Sequence, residues 1–387
     1  MSSALTDLLL HPIVQAPMAG GVSVPQLAAA VSEAGGLGFL AAGYKTADGM
    51  YQEIKQLRGL TARPFGVNVF MPQPEYPGAS TGTTGAANAA PPSGAVEVYA
   101  HQLAGEAAWY ETELGDPDSG RDDGFDAKLA VLLDNPVPVV SFHFGVPSPE
   151  VVDSLRRAGT FTLVTATTAE EARAVERAGA DAVIAQGVEA GGHQGTHRDV
   201  PENDGAGIGL LSLVAQIREA VDIPVVAAGG IMRGSQIAAV LAAGASAAQL
   251  GTAFLATPES GAHAVHKQAL TNPLFTHTEL TRAFSGRPGR GLVNRFLREH
   301  GPYAPAAYPD VHHLTSPLRK AAAKAGDAQG MALWAGQGHR LARALPAAEL
   351  VEVLAAELDA ARTALSAKGG PGGPGGPGRP GGLGGRR

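Results

Sequence analysis

Cysteine is absent from this sequence of 387 residues. Its absence excludes disulfide bonds and thiolate catalysis. Charged residues are scarce as well, at 17% of the chain, and the formal net charge is −7. An acidic balance of this kind suits neither nucleic acid nor an anionic membrane surface. We therefore expect neither of these as a main partner.

Long apolar runs are also missing. No stretch reaches the roughly 20 residues that a membrane-spanning helix needs. Met1 to His11 has no basic region followed by an apolar run, which is the pattern of a signal peptide. We expect a cytoplasmic location, which also suits a chain without cysteine. The chain does have a hydrophobic content of 44%, which is enough for a large buried core.

One local pattern recurs along the chain: a helix-like stretch ends in Ala-Gly and leads directly into an apolar, strand-like run. Ala34-Gly35, Ala158-Gly159, Ala178-Gly179 and Ala243-Gly244 all have this form. Glycine suits these points because it adopts the left-handed conformation that ends a helix. Apolar strands without alternation, separated by helices, indicate a parallel sheet that is covered on its outer face.

Eight strands can be assigned in order, and eight β-then-α units favour a closed (β/α)8 TIM barrel. The strands are Ile13–Gln15, Gly36–Leu40, Phe65–Val69, Val137–Phe142, Phe161–Val164, Ala182–Ala185, Pro224–Ala227 and Ala248–Gly251. Helix starts support this assignment. Ser23 and Thr168 each begin a capping-box pattern, and Ser148 precedes a proline at a first helical position.

The domain organisation follows from composition. We predict that residues 1–260 form the barrel, with a loop insertion at about 72–94 that is rich in Pro, Gly, Ser, Thr and Ala. Residues 261–368 are expected to form a mostly helical C-terminal subdomain that completes the barrel and covers its mouth. Residues 369–387 are a Gly/Pro-rich run that predicts a disordered tail.

The turns after strands seven and eight indicate a phosphate site. Active sites of (β/α)8 barrels lie at the carboxyl ends of the strands, and phosphate often binds at these two turns. Gly229-Gly230 and Gly251-Thr252 stand there. Either pair alone could be no more than a tight turn, but both together favour phosphate binding.

Such a site could serve a sugar phosphate or flavin mononucleotide (FMN). Asn68 in strand three and Gln186 after strand six favour the flavin, because amides match the alternating donors and acceptors of its ring. Either amide alone could instead cap a strand end.

His193 is the candidate catalytic residue. It follows Gly191-Gly192 in the loop after strand six, so it can stand at the barrel mouth with little steric shielding. An imidazole there can donate a hydrogen bond to an oxyanion or accept a proton near neutral pH. His143 is a second histidine at the mouth and is expected to support the site. Glu189 could be a base or a carboxylate that orients the loop. Without a convincing set of three ligands, we expect no metal site.

Several stretches together resemble the nitronate monooxygenase family, formerly called the 2-nitropropane dioxygenases. They are 12–18, 66–70, 185–195, 227–231 and 249–255, and 333–337 resembles the class I branch. The motif Glu189-Ala190-Gly191-Gly192-His193 is highly specific to the flavin-barrel superfamily and less specific to one reaction within it.

The resemblance implies a barrel that binds FMN non-covalently, with His193 as the active-site histidine. The residues implied to contact FMN, or to lie near its ring, are Pro17, Met18, Asn68, Gln186, Gly191, Gly192, Gly229, Gly230, Gln249, Leu250, Gly251 and Thr252. The implied reaction oxidises an alkyl nitronate, such as propionate 3-nitronate, with O2 to a carbonyl compound and nitrite. The implied partners are the nitronate and O2, and the protein would be a monomer or a homodimer. Tyr303 and Tyr308 are candidates for the substrate pocket.

Other functions remain open. A flavin-dependent enoyl-acyl-carrier-protein reductase shares the barrel and a similar loop, although 334–337 favours the nitronate family. An NADH:quinone reductase could use the same fold, although no separate Gly-x-Gly-x-x-Gly fingerprint follows a strand. A phosphosugar isomerase or lyase could use the phosphate site without any flavin. Barrels of the purine-nucleotide dehydrogenase type are disfavoured because they need a catalytic cysteine.

Overall fold

The computed structural model describes residues 5–73, 94–199 and 207–368. The strands in these ranges are β1 (Ile13–Gln15), β2 (Gly38–Ala41), β3 (Phe65–Phe70), β4 (Val139–His143), β5 (Phe161–Ala166), β6 (Ala182–Gln186), β7 (Gly192–His193), β8 (Val225–Ala228), β9 (Ala247–Leu250), β10 (Thr278–Thr281) and β11 (Gly289–Leu292). Eight of them form one sheet in the order β1-β9-β8-β6-β5-β4-β3-β2, and β10, β11 and β7 form a second, antiparallel sheet.

The eight-stranded sheet closes into a barrel. All its ladders are parallel, and β1 meets β2 through a parallel bridge between Val14 and Leu37. The backbone N–H of Gln15 donates to the Leu37 carbonyl at 2.9 Å, and the N–H of Leu37 donates to the Ile13 carbonyl at 3.0 Å. The fold is therefore the (β/α)8 TIM barrel that the sequence predicts, and each predicted strand overlaps an observed one.

Helices surround the barrel and follow its last strand. They are α1 (Pro25–Glu33), α2 (Ala47–Leu60), α3 (Ala95–Gln102), α4 (Ala104–Trp109), α5 (Phe125–Asp134), α6 (Pro149–Arg157), α7 (Ala169–Arg177), α8 (Leu210–Ala220), α9 (Gly234–Ala242), α10 (Thr252–Leu255), α11 (Ala264–Ala269), α12 (Arg295–His300), α13 (Asp310–Lys324) and α14 (Ala347–Lys368). None of these described helices is both long and apolar enough to cross a membrane.

The strands lack alternation because both faces of the sheet are buried. Phe39, Leu163 and Ile184 belong to the packed interior of the barrel, and each is at most 1% exposed. Their neighbours in sequence, such as Leu40 and Val164, belong to the larger core between the sheet and the helices. Burying side chains of this size contributes roughly 1.5–3 kcal/mol each.

Two of the three predicted helix starts are correct. Ser148 accepts a hydrogen bond from the Val151 N–H at the start of α6, and Thr168 accepts one from the Glu171 N–H at the start of α7. Ser23 does not cap α1, so that prediction is wrong. The N-cap is Val24, and the Ser23 hydroxyl instead accepts hydrogen bonds within the loop after β1.

The chain after β9 is mostly helical and also contains the β10–β11 hairpin. Its last helix, α14, packs on the outside of the barrel against α9 and α1. Residues 74–93, which make up nearly all of the expected insertion at 72–94, lie outside the described residues, and so does the expected tail at 369–387. The boundary between 1–260 and 261–368 stays a prediction.

Candidate active site

A cavity of about 540 Å³ opens at the carboxyl ends of the barrel strands. This is the usual size of a small-molecule or cofactor site. All thirteen predicted site residues lie in its wall: Pro17, Met18, Asn68, Gln186, Gly191, Gly192, His193, Gly229, Gly230, Gln249, Leu250, Gly251 and Thr252. The barrel thus brings together segments that are more than 200 residues apart in the chain.

His193 stands among aromatic rings at the mouth of the barrel. Its ring centroid lies 5.7 Å from that of Phe144, 5.6 Å from that of Tyr308 and 5.3 Å from that of Trp334. Its Nε2 lies 2.8 Å from the Ser285 hydroxyl. This serine is the residue that orients the imidazole.

The hydrogen bonds of Ser285 determine which tautomer of His193 is favoured. The Ser285 hydroxyl donates to the Arg287 carbonyl at 3.2 Å and accepts from the Arg287 N–H at 3.3 Å. With its proton used in this way, the hydroxyl oxygen accepts from the Nε2–H of His193. Nδ1 then carries the lone pair, and it has no hydrogen-bond partner among the described residues.

Burial keeps His193 neutral. Burial, together with the positive charge of Arg287, lowers the pKa of His193 to about 3. Arg287 is fully buried, with its Cζ 4.2 Å from the centroid of the Phe144 ring. Its Nη1 donates to Gln73 Oε1 at 2.7 Å. The histidine is therefore built to offer a lone pair and not a positive charge.

Gln186 closes the loop that carries His193. Its Nε2 donates to the His193 carbonyl at 3.0 Å, and its Oε1 accepts from the Gly195 N–H at 2.6 Å. The pairing of β7 with β11, in which His193 faces Gly289, holds the loop from the other side. Gln186 lines the cavity as expected, and the contacts seen here make it a residue that positions His193.

Glu189 orients the same loop, which is the second of the two roles that the sequence suggests for it. Both of its carboxylate oxygens accept from the Leu210 N–H at 3.0 Å, at the start of α8. Its carbonyl accepts from the Gln337 N–H at 3.0 Å. Glu189 is not among the residues that line the cavity.

A close approach of two backbone segments requires glycine at position 191. A Cβ at this position would lie 2.5 Å from both the Ala335 carbonyl carbon and the Gly336 nitrogen. Gly336 in turn donates to the Thr252 hydroxyl at 2.9 Å. The segment 333–337, which the sequence comparison singles out, is therefore packed between the strand-six loop and the turn after β9.

Two amide side chains present unpaired oxygen atoms in the cavity wall. Asn68 donates from Nδ2 to the Ser141 carbonyl at 3.2 Å and to its hydroxyl at 2.9 Å, and its Oδ1 has no partner among the described residues. Gln249 Oε1 is buried without a partner in the same part of the chain. The Gln249 oxygen is a buried acceptor without a donor, which is costly, so it points to a ligand. The Asn68 oxygen is a second acceptor in the wall, on a side chain that is 4% exposed.

The turns after β8 and β1 have backbone features that suit a ligand. Gly229 and Gly230 have φ values of +129° and +68°, a conformation that side chains disfavour. The loop after β1 is held by Ser23, whose hydroxyl accepts from the Met18 N–H and from Gln15 Nε2, both at 2.9 Å. This buried network fixes the Pro17–Met18 segment at the mouth.

Several cavity residues are not found by sequence reasoning. Tyr44 has a φ of +65°, and its ring stacks on His312 at a centroid distance of 3.9 Å. Its hydroxyl lies 3.1 Å from that of Tyr308. Arg319 also lines the cavity. Tyr44 follows β2 without any motif, and His312 and Arg319 lie in α13, after the last barrel strand, so no strand-end pattern marks them.

The structure also places His143, Tyr308 and Tyr303, the three remaining residues that the sequence suggests. His143 lines the cavity in a supporting place, with Nδ1 3.1 Å from the Thr165 hydroxyl, and burial lowers its pKa to about 3. Tyr308 stands beside His193. Tyr303 is 64% exposed and does not line the cavity, so its candidacy for the substrate pocket is wrong.

A closed barrel with an oriented, neutral histidine at the carboxyl ends of its strands defines the class as a (β/α)8-barrel enzyme. The chain belongs to the nitronate monooxygenase family, whose model matches residues 2–357. The nitronate monooxygenase of Pseudomonas aeruginosa is 44% identical over 371 residues, which is 92% of this chain and 99% of that protein. The chain is therefore an enzyme of the oxidoreductase class.

Solved structures agree with this assignment. A nitroalkane oxidase from Streptomyces ansochromogenes is 83% identical, with a TM-score of 0.89 over 94% of this chain and 100% of that one. FabK from Thermotoga maritima is 29% identical, with a TM-score of 0.69 over 94% of this chain and 98% of that one.

Proposed function

We propose that this chain is an FMN-dependent nitronate monooxygenase that oxidises alkyl nitronates, such as propionate 3-nitronate, with O2 to a carbonyl compound and nitrite. The observation that carries the proposal is a neutral histidine, His193, held by Ser285 beside a cavity with unpaired amide oxygens. Membership of the nitronate monooxygenase family supports the reaction.

The residues present suit FMN. Asn68 Oδ1 and Gln249 Oε1 lack donors within the described residues, and the ring N–H and ribityl hydroxyls of a flavin would supply them. Gly229-Gly230 and Gly251-Thr252 would hold the phosphate at the turns after β8 and β9. Pro17 and Met18 would lie near the ring. When bound, FMN supplies the redox chemistry by taking electrons from the substrate and passing them to O2.

The protein's own part is placement, proton control and charge. Gln186 and Ser285 fix His193, whose Nδ1 lone pair can accept a hydrogen bond or a proton from the substrate end of the cavity. A base whose pKa is about 3 holds a proton poorly, so the preformed nitronate anion is the better substrate.

A neutral nitroalkane is the second candidate substrate. Two observations favour it: the 83% identity to a nitroalkane oxidase and the free Nδ1 lone pair of His193. In that case Nδ1 would take the α-proton and the substrate would become the nitronate. The resulting histidinium would need the nitronate beside it as a counter-charge, because burial and Arg287 both oppose its positive charge.

We also propose that residues 261–368 form a subdomain that covers the barrel mouth. His266, Arg319, Met331 and Trp334 all line the cavity, and His266 Nε2 lies 3.0 Å from the Trp334 carbonyl. The outer wall of the site is therefore drawn from this part of the chain.

An absorbance spectrum and one anaerobic mixing experiment test the proposal. The purified protein should have flavin absorbance that is bleached by propionate 3-nitronate, and readmitted air should give nitrite. Rapid bleaching by NADH without nitrite would instead support an enoyl reductase or a quinone reductase. A colourless protein with no flavin would support the phosphosugar alternative.

A further inference from the structure

The wall of the cavity has one fixed charge. Among the described residues that line it, Arg319 is the only lysine or arginine, and none is aspartate or glutamate. The four histidines that burial holds neutral, His143, His193, His266 and His312, add no charge. The fixed charge of the cavity wall is therefore the single positive charge of Arg319.

The guanidinium of Arg319 is held in place but not neutralised. Its Nε donates to the Thr315 hydroxyl at 3.1 Å, and its Nη2 donates to the His312 carbonyl at 2.8 Å. No carboxylate of the described residues lies within ion-pair distance, and Nη1 has no partner there. Burial lowers the pKa of Arg319 to about 10, so the group still carries its charge at neutral pH. A half-buried cation without a counter-ion is costly unless a ligand supplies one.

We infer that Arg319 is the anion-binding residue of the substrate subsite, so that the enzyme takes its substrate as a planar, delocalised two-oxygen anion. This inference rests on the proposed function and deepens it, because it selects the nitronate over the neutral nitroalkane. A guanidinium suits such an anion, since its N–H groups lie in one plane and match two oxygens that share a charge.

The position of Arg319 separates its ligand from the phosphate of the cofactor. Arg319 contacts His312, and His312 stacks on Tyr44, which follows β2. The predicted phosphate turns follow β8 and β9, and β1 stands between β9 and β2 in the barrel. The charge of Arg319 does reach His193, whose proton affinity it lowers. The guanidinium thus serves the end of the cavity where His193 stands.

The first experiment measures binding without turnover. Propionate is the anionic probe, because a carboxylate shares the planar, two-oxygen charge of a nitronate, and propionamide is its neutral counterpart. Arg319→Met should weaken propionate binding about ten- to hundred-fold, because the loss of a charge-assisted hydrogen bond costs about that much. The same substitution should change propionamide binding much less. Calorimetry on the purified protein reports both. Lys320→Met is the matched control, because this exposed neighbour carries the same charge outside the cavity.

The second experiment compares ethylnitronate with nitroethane by nitrite release. Arg319→Met should lower kcat/KM for ethylnitronate at least ten-fold more than for nitroethane, mainly through KM, and Arg319→Lys should recover part of the loss. Equal losses on both substrates and both probes, or no loss on any, would overturn the role of Arg319. If the wild-type protein released no nitrite from either compound, the proposed function would fail, and the propionate measurement would still test Arg319 on its own.

Discussion

Lowering the pH from 6 to 5 tests the burial of the histidines around the cavity. Burial lowers the pKa of His143 and His193 to about 3 and that of His266 to about 4, and it lowers the pKa of His312 well below the usual value. An unperturbed histidine has a pKa of about 6.5. Between pH 6 and 5 these groups are thus neutral in the folded protein and mostly charged in the unfolded chain.

The sign and size of the effect follow from proton linkage. The unfolded state binds more protons, so the stabilisation is complete above pH 6.5 and is lost as the pH falls towards the folded-state pKa values. Each histidine contributes roughly 1.2–1.4 kcal/mol per pH unit in this window, so four together contribute about 5 kcal/mol. That is a large share of the roughly 5–15 kcal/mol that stabilises a typical folded domain.

Urea unfolding followed by circular dichroism at pH 7, 6, 5.5 and 5 measures this slope. His266→Gln is the informative variant, because its amide can still donate to the Trp334 carbonyl, which lies 3.0 Å from His266 Nε2. We expect the variant to lose stability less steeply, by about 1.2 kcal/mol per pH unit. A wild-type slope near that of a single group, or an unchanged slope in the variant, would refute the burial argument.

Three further predictions concern His193, its hydrogen-bond partner Ser285 and the glycine Gly191 in its loop. His193→Ala should keep the visible absorbance but lose roughly 100-fold or more of nitronate turnover; full turnover would remove His193 from the mechanism. Ser285→Ala should lower kcat about ten-fold with a small change in KM, because it frees the imidazole tautomer; an unchanged kcat in steady-state assays would count against this orienting role. Gly191→Ala should lower Tm by several degrees, since the added Cβ would lie 2.5 Å from the Gly336 nitrogen and overpacking costs about 1–3 kcal/mol; a Tm equal to the wild type would contradict the close approach.

The barrel could be predicted because its signal repeats. The helix-ending glycines Gly35, Gly159, Gly179 and Gly244 all have positive φ values, as the Ala-Gly pattern predicts. Apolar runs mark the strands because both faces of the sheet are buried. Strand bounds were less certain: the second strand begins at Gly38 and not at Gly36, because the ladder with β3 starts at Gly38 and Leu37 makes only an isolated bridge to Val14.

From physical pattern alone, the site could be predicted only where it lies at strand ends. Asn68, Gln186 and Gln249 were found because the carboxyl ends of barrel strands meet at one mouth. Ser285, Arg287 and Arg319 were not, because the chain after β9 has no period that relates it to the barrel. Their places depend on tertiary contacts such as the pairing of β7 with β11.

The location of a site residue was also easier to predict than its role. Gly191 was expected to let the backbone approach a flavin, yet the nearest atoms to its missing side chain belong to Ala335 and Gly336. Gln186 was expected to face the flavin, yet both ends of its amide bond the loop of His193. Sequence patterns identify residues that cannot easily be replaced, but only the packed structure tells which neighbour imposes the requirement.

The two parts of the site therefore have different tasks. Under the proposed function, the strand ends supply neutral groups, namely glycines and the amides of Asn68 and Gln249, which would hold the flavin ring and its phosphate. The chain after β9 supplies Ser285, which orients the histidine, and Arg319, which carries the charge. If this division holds, exchanging residues on the strands should alter cofactor affinity, whereas exchanging Arg319 should alter which ionisation state of the substrate is accepted. The choice between nitronate and nitroalkane then depends on the segment that sequence patterns describe least well.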